Sequence, residues 1–168
     1  MRAWLTALLL VSSLASAELP QKDRWAEWQP FLGTWAGGGS GAPGQSAGEF
    51  RFALDLQGAV LTRHSYAEYP ASKDKPAYRH DDLMVIYPAG QHTRADYWDN
   101  EGHIIHYYVE FSPAKLVFLS DAAQPGPRFR LTYQKTGEDA LKLTFEVAPP
   151  EAREKFKTYI EATATRRK

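Results

Sequence analysis

The residues best suited to hold or transform a small molecule are Arg63, Arg94, Asp96 and His103, interleaved with Tyr69, Trp98, Tyr107 and Tyr133. An arginine grips a carboxylate through a planar fork of N–H donors, and aromatic rings offer flat apolar area with a polar tip. Histidine beside aspartate is a common couple for moving a proton, so His103 with Asp96 is the one enzymatic hint. His103-x-x-His106 has the spacing of a metal pair, but residues three apart on a strand face opposite sides. The two cannot ligate one ion, and no metal site is assigned. Asp81-Asp82 beside His80 reads as a hydrated loop edge. Ser65 and Ser120 lack the strand-to-helix elbow that exposes a nucleophilic serine. No catalytic residue and no cofactor follows from these patterns.

The elements that must position these residues are strands. Phe50, Phe52, Leu54 and Leu56 alternate with Glu49, Arg51, Ala53 and Asp55, which marks a strand with one buried face. Further strands follow over residues 59–69, 83–87, 92–98, 103–111, 116–119, 129–135, 141–147 and 156–165. With one more opening at Thr34, about ten strands with short turns predict an all-β, antiparallel up-and-down meander. Closure into a barrel removes its edges and leaves room for side chains or one small ligand. Trp25, Trp28 and Phe31 recur at helical spacing, so a short N-terminal helix is expected over Pro20 to Phe31, packed as a lid. The Gly-, Ser- and Pro-rich stretch 37–48 reads as a flexible loop.

Turn lengths carry the inward face from strand to strand. If Phe50 to Leu56 point in on even positions, a turn at Gln57-Gly58 places Leu61, Arg63, Ser65 and Tyr69 inside. An even-length turn around Asn100-Glu101 then sets Arg94, Asp96, Trp98 and His103 beside Ile105, Tyr107, Val109 and Phe111. Counting back through Ala89-Gly90 adds Leu83, Val85 and Tyr87. Tyr133 joins the inner set of the hairpin about Gly137, with Phe129, Leu131, Leu143, Phe145 and Val147. The interior so built mixes charge with tyrosine. It suits an amphipathic or acidic small molecule whose carboxylate an arginine would hold. An inert internal network with water is the other arrangement open at this point.

The chain's start and composition bound its setting. Arg2, the apolar run from Ala3 to Leu14 and Ala15-Ser16-Ala17 form a signal-peptide pattern, giving a leader over 1–17 and one domain over 18–168. The expected destination is periplasmic or extracellular. No cysteine occurs, which excludes disulfides and thiolate metal sites. Twenty basic and twenty acidic residues balance, so there is no basic face for nucleic acid. After the leader no segment approaches the ~20 apolar residues of a membrane helix.

The run Phe31-Leu32-Gly33-Thr34-Trp35-Ala36-Gly37-Gly38-Gly39-Ser40-Gly41, the ten strands and the ending Arg166-Arg167 resemble the calycin superfamily. That group includes lipocalins, fatty-acid-binding proteins and nitrobindin-like barrels, and Leu32-Gly33-Thr34-Trp35-x-Gly looks most like the nitrobindin-like and related bacterial lipocalin-like domains. The resemblance implies that Trp35 closes the barrel floor against Arg166 or Arg167. It implies an exported lipocalin-like protein that binds a small hydrophobic or amphipathic ligand. Two other activities stay open: a barrel isomerase or hydrolase using His103 and Asp96, and a haem protein of the nitrobindin type. Nitrobindin-like proteins ligate haem through a histidine near the C-terminal strand, whereas here every histidine lies between His64 and His106.

Overall fold

The computed structural model describes residues 24–41 and 44–168. The expected leader, and the start of the expected N-terminal helix, lie outside the described residues. Strands β1 (Gly33–Gly41), β2 (Ser46–Asp55), β3 (Val60–Tyr69), β4 (Tyr78–Ala89) and β5 (His92–Asp99) are followed by β6 (Ile104–Ser112), β7 (Lys115–Ser120), β8 (Arg128–Gly137), β9 (Ala140–Ala148) and β10 (Lys157–Arg166). Each pairs antiparallel with its sequence neighbours, and β1 pairs with β10 to close the barrel. Closure leaves no strand edge unpaired, as the regular short turns predict.

Of the expected N-terminal helix, the described residues show Arg24 in α-helix and then a 3-10 turn, Ala26–Trp28. Its hydrogen bonds, Trp28 N to Trp25 O at 3.0 Å and Phe31 N to Trp28 O at 2.8 Å, span three residues, and Leu32 N to Trp28 O at 3.1 Å closes the segment over four. Tight 3-10 winding eclipses side chains three apart, so Trp25, Trp28 and Phe31 share one edge. That edge is the lid. Trp28 enters the barrel against Phe52, Phe111 and Phe118, at ring separations of 6.1, 6.2 and 6.3 Å. Trp25 Nε1 donates to Gly58 O at 2.8 Å. Each of these buried aromatic side chains contributes about 1.5–3 kcal/mol of apolar transfer.

The floor is finished by Trp35 and Arg166, which are directly opposite in the β1–β10 register. The Arg166 guanidinium lies 4.2 Å above the Trp35 ring. It donates to Leu32 O, to Pro30 O at 2.8 Å and to Asp139 at 3.0 Å. Trp35 Nε1 donates to Phe31 O at 2.8 Å. The arginine implied by the resemblance is therefore Arg166; Arg167 instead pairs with Glu49. A cation on an aromatic face with three further donor contacts ties the last strand to the first.

The stretch 37–48 is not a flexible loop throughout, because residues 37–41 belong to β1 and 46–48 to β2. Its glycines answer a backbone demand. A Cβ on Gly37 would fall 1.8 Å from Thr163 O, and one on Gly48 would fall 2.2 Å from Tyr66 O. The wall bends there so tightly that only hydrogen fits.

Candidate functional site

Register assigns the inner face without ambiguity, because paired residues share a face and alternate along each strand. Phe50 opposes Ser65, Phe52 opposes Arg63 and Leu54 opposes Leu61, so Leu61, Arg63, Ser65 and Tyr69 point inward as expected. On β4 the inner set is Tyr78, His80, Asp82, Met84 and Ile86, paired with that face of β3. Ala95, Tyr97 and Asp99 continue it on β5. Ile105, Tyr107 and Val109 follow on β6, with Tyr133 on β8.

Arg94, Asp96 and Trp98 therefore face outward, against expectation, and so do Leu83, Val85 and Tyr87. The cause is one residue. Trp98 opposes Ile104 and Asp99 N reaches His103 O at 3.4 Å, leaving three residues in the turn and not an even number. Gly102, at φ +89°, supplies the left-handed position that a three-residue hairpin turn requires. A change of one in the turn reverses every side chain behind it. The count through Gly90 holds, and so carries the reversal back to β4.

The outward residues have partners of their own. Arg94 donates to Asp121 at 3.2 Å and lies 3.9 Å above the Tyr108 ring. Asp96 accepts from Tyr87 Oη at 3.1 Å and lies 2.5 Å from His106 Nδ1. Trp98 lines an outer groove of about 580 Å³ across β2 to β5, with Arg51, His64 and Arg79. His103 lies at the rim, 2.8 Å from Asp99 and exposed. The acid–base couple of His103 with Asp96 does not form, since the barrel wall separates them.

Inside, the barrel divides at a polar layer. Let the lower end be the one that carries the lid and Arg166. Near and below mid-height, Trp35, Phe52, Leu61, Ile86, Leu116 and Phe118 are all fully buried. The layer itself is Arg63, Asp82, Tyr107 and Tyr133. Arg63 Nη2 lies 2.8 Å from both oxygens of Asp82, and the two side chains are 6% and 5% exposed. Asp82 is the residue that sequence reasoning missed. Its signal was the even-numbered series His80, Asp82, Met84, Ile86, which shares one face with an inward arginine's need for a counter-charge.

Burial and charge oppose each other in this layer. Burial pushes the Asp82 carboxyl above its ordinary range, while Arg63 and then His80 pull it down. For Arg63, burial works against the cation, yet Asp82 and the surrounding tyrosines hold its proton more firmly than in water. The hydroxyls of Tyr97, Tyr107 and Tyr133 are raised, chiefly by burial, and stay neutral donors. Arg63 Nε and Tyr133 Oη have no hydrogen-bond partner among the described residues.

Above the layer most inward side chains are only partly buried, Ile105 being the buried exception. One wall, on β8 to β10, carries Phe129, Leu143, Phe145, Val147 and Ile160. Phe129 and Phe145 stack with ring centres 5.9 Å apart. The opposite wall, on β3 to β5, carries Ser65, Tyr69, His80, Tyr97 and Asp99. A hydrogen-bonded chain runs up it: His80 Nε2 to Tyr97 Oη at 3.0 Å, then Tyr97 Oη to Asp99 at 3.1 Å. Tyr69 stacks on Tyr78 at the mouth, 5.4 Å between ring centres. Of the eight residues expected to meet a ligand, Arg63, Tyr69, Tyr107 and Tyr133 point inward, His103 is at the rim, and Arg94, Asp96 and Trp98 are outside.

No family model and no curated protein matches this chain. Among solved structures, a de novo designed fluorescence-activating β-barrel aligns at 13% identity and TM-score 0.43, over 83% of this chain and 95% of that one. EF1p2_mFAP2b bound to DFHBI aligns at 10% identity and TM-score 0.46, over 84% and 97%. Among the described residues no helix is long and apolar enough to cross a membrane.

Proposed function

We propose that the chain is an exported, calycin-like barrel whose upper half binds a neutral or cationic amphipathic small molecule. One observation carries the reading: most inward side chains below the Arg63 layer are buried, and above it an apolar wall faces a polar one, both partly accessible. A ligand's apolar body fits against Phe129, Leu143, Phe145 and Ile160, and its polar end against Tyr97, His80 and Asp99. The Trp35–Arg166 floor supports the calycin-like assignment, and the leader pattern in residues 1–17 supports export.

The charge of the chamber sets the ligand's sign. Arg63 is already neutralised by Asp82, and Arg94 is on the outside with Asp121. Among the described residues no inward arginine lacks a carboxylate partner, so an acidic ligand is disfavoured. Asp99 and Glu101 put carboxylates on the β5 side of the mouth, across from Lys157 on β10, so an amine end fits that polar wall better than an acid does.

The test is displacement of Nile red from chelator-treated protein by dodecylamine and by dodecanoate. Saturable displacement with dodecylamine the stronger competitor is expected. Phe145→Ala, which removes apolar contact worth about 1.4 kcal/mol, should weaken dodecylamine about tenfold. Dodecanoate binding more tightly than dodecylamine would sink the charge argument. Displacement that ignores Phe145→Ala would sink the chamber. Cell fractionation tests export: processed protein outside the cytoplasm is expected, and an uncleaved cytoplasmic chain would refute it.

A further inference from the structure

Three ligating side chains meet at the barrel mouth, His80 from β4, Asp99 at the end of β5 and Glu101 from the turn that follows, and His103 of that turn lies against the two carboxylates. The donor atoms of His80, Asp99 and Glu101 all lie within 4.8 Å of one another. His80 Nδ1 is 3.5 Å from Glu101 Oε1. His103 Nδ1 is 2.8 Å from Asp99 Oδ2 and 3.8 Å from Glu101 Oε2. In a tetrahedral site with bonds of about 2.1 Å, neighbouring donors are about 3.4 Å apart. The observed separations bracket that value. Two imidazoles and two carboxylates are the donor set that suits Zn²⁺ and its first-row neighbours.

What surrounds the donors points the same way. Metal-binding imidazoles commonly have the remote nitrogen tied, which fixes the ring. Here His80 Nε2 is held by Tyr97 Oη at 3.0 Å, leaving Nδ1 toward Glu101. Asp99 is held as firmly: its Oδ1 accepts the backbone N–H of Glu101 at 3.0 Å and of His103 at 2.9 Å. Its Oδ2 accepts from Tyr97 at 3.1 Å, and the side chain is 3% exposed. Among the described residues no lysine or arginine pairs with Asp99 or Glu101; their basic partners are the two histidines. Two carboxylates thus converge with only imidazole to offset them. Tyr78 Oη, which bonds both Glu101 Oε1 and His80 Nδ1, would withdraw or join as a further oxygen.

We propose that His80, Asp99, Glu101 and His103 form a divalent transition-metal site, of the Zn²⁺ class, at the mouth of the barrel. His103 thus acts with Asp99 and Glu101 of its own turn, and not with His106, which faces the outer wall on Asp96.

The test is calorimetric titration of tag-free, chelator-stripped protein with ZnCl₂, repeated with Co²⁺ while its visible absorption is recorded. One equivalent should bind, with Co²⁺ giving ligand-field bands. Glu101→Gln and His103→Ala sit on the exposed rim and should leave the circular dichroism unchanged while weakening Zn²⁺ at least tenfold. His64→Ala, His92→Ala and His106→Ala should bind as the parent does, and so should Phe145→Ala, which keeps this result separate from the amphiphile reading. Absence of stoichiometric binding overturns the proposal. So does binding that survives both rim variants, or that is lost with His64, His92 or His106.

Discussion

Removing one member of the Arg63–Asp82 pair should cost more than any surface change, and the two removals should differ in their response to pH. The pair sits in mid-barrel, 2.8 Å apart and about one-twentieth exposed. Breaking a buried ion pair leaves an uncompensated charge and costs about 3–5 kcal/mol. For a domain this size that lowers the melting temperature by about 10 °C or more. Asp82→Asn strands a guanidinium that keeps its proton throughout, but it also removes the raised Asp82 carboxyl, so its deficit against the parent should shrink as pH rises above the unfolded pKa. Arg63→Met strands a carboxylate, which can escape by protonation. Burial already pushes Asp82 upward, and Arg63 is the foremost group opposing that push. Without the arginine the folded-state pKa rises further above the unfolded value of about 4.

The sign follows from proton counts. Between the unfolded pKa and the raised folded pKa, the folded Arg63→Met protein keeps a proton that the unfolded chain has lost. Its stability therefore falls as pH rises through that window, by up to about 1.4 kcal/mol per unit. Urea unfolding followed by tryptophan fluorescence, at half-unit steps from pH 4.5 to 7.5, reads this directly. Arg63→Met should lose ground to the parent as pH rises, whereas Asp82→Asn should gain ground on it. Parallel curves for the parent and Arg63→Met would refute the reasoning, as would either single variant costing under 1 kcal/mol at pH 7.

Three other outcomes follow from the same geometry. Trp35→Ala should cost about 3–5 kcal/mol through the cavity it opens, and a double-mutant cycle with Arg166→Met should show about 1 kcal/mol of coupling in thermal melts; strict additivity would disprove the stacked floor. Gly37→Ala should destabilise more than Gly90→Ala, because a Cβ at Gly37 meets Thr163 O whereas at Gly90, φ +64°, it meets nothing and costs only about 1–2 kcal/mol of backbone strain; chemical denaturation giving the reverse order would count against the tight β1–β10 approach. Arg130 holds the Glu146 carboxyl below its ordinary range by hydrogen bonding, so Arg130→Gln should cost about 0.5–1 kcal/mol at neutral pH for this half-exposed pair. That deficit should shrink as acid protonates Glu146 through its lowered pKa, and a deficit unchanged at pH 3 would argue against the pair.

Local alternation was enough to find the strands, because a half-buried strand writes its two faces into successive residues. It placed Arg63, Ser65 and Tyr69 inside, because an even number of residues, 56–59, leaves the ladder between Asp55 and Val60. The pairing of Trp35 with Arg166 or Arg167 came from the resemblance carried by the opening motif and not from alternation, and the β1–β10 register makes it Arg166. The lid was half legible: the spacing of Trp25, Trp28 and Phe31 by threes fits both helix types, and over Ala26–Trp28 the tighter one forms.

What the chain by itself determined was therefore the wall: ten amphipathic strands in meander order, with a tryptophan to close the floor. Which side chains share the interior was decided only in three dimensions. The Asp99 carboxylate accepts the N–H groups of Glu101 and His103, and Gly102 takes a left-handed φ, so that turn holds three residues. That single count sends Arg94, Asp96 and Trp98 out and brings His80, Asp82, Tyr97 and Asp99 in. Parity along a strand is strictly local, but the phase between strands belongs to the turn, and there one carboxylate and a glycine outweigh any periodicity.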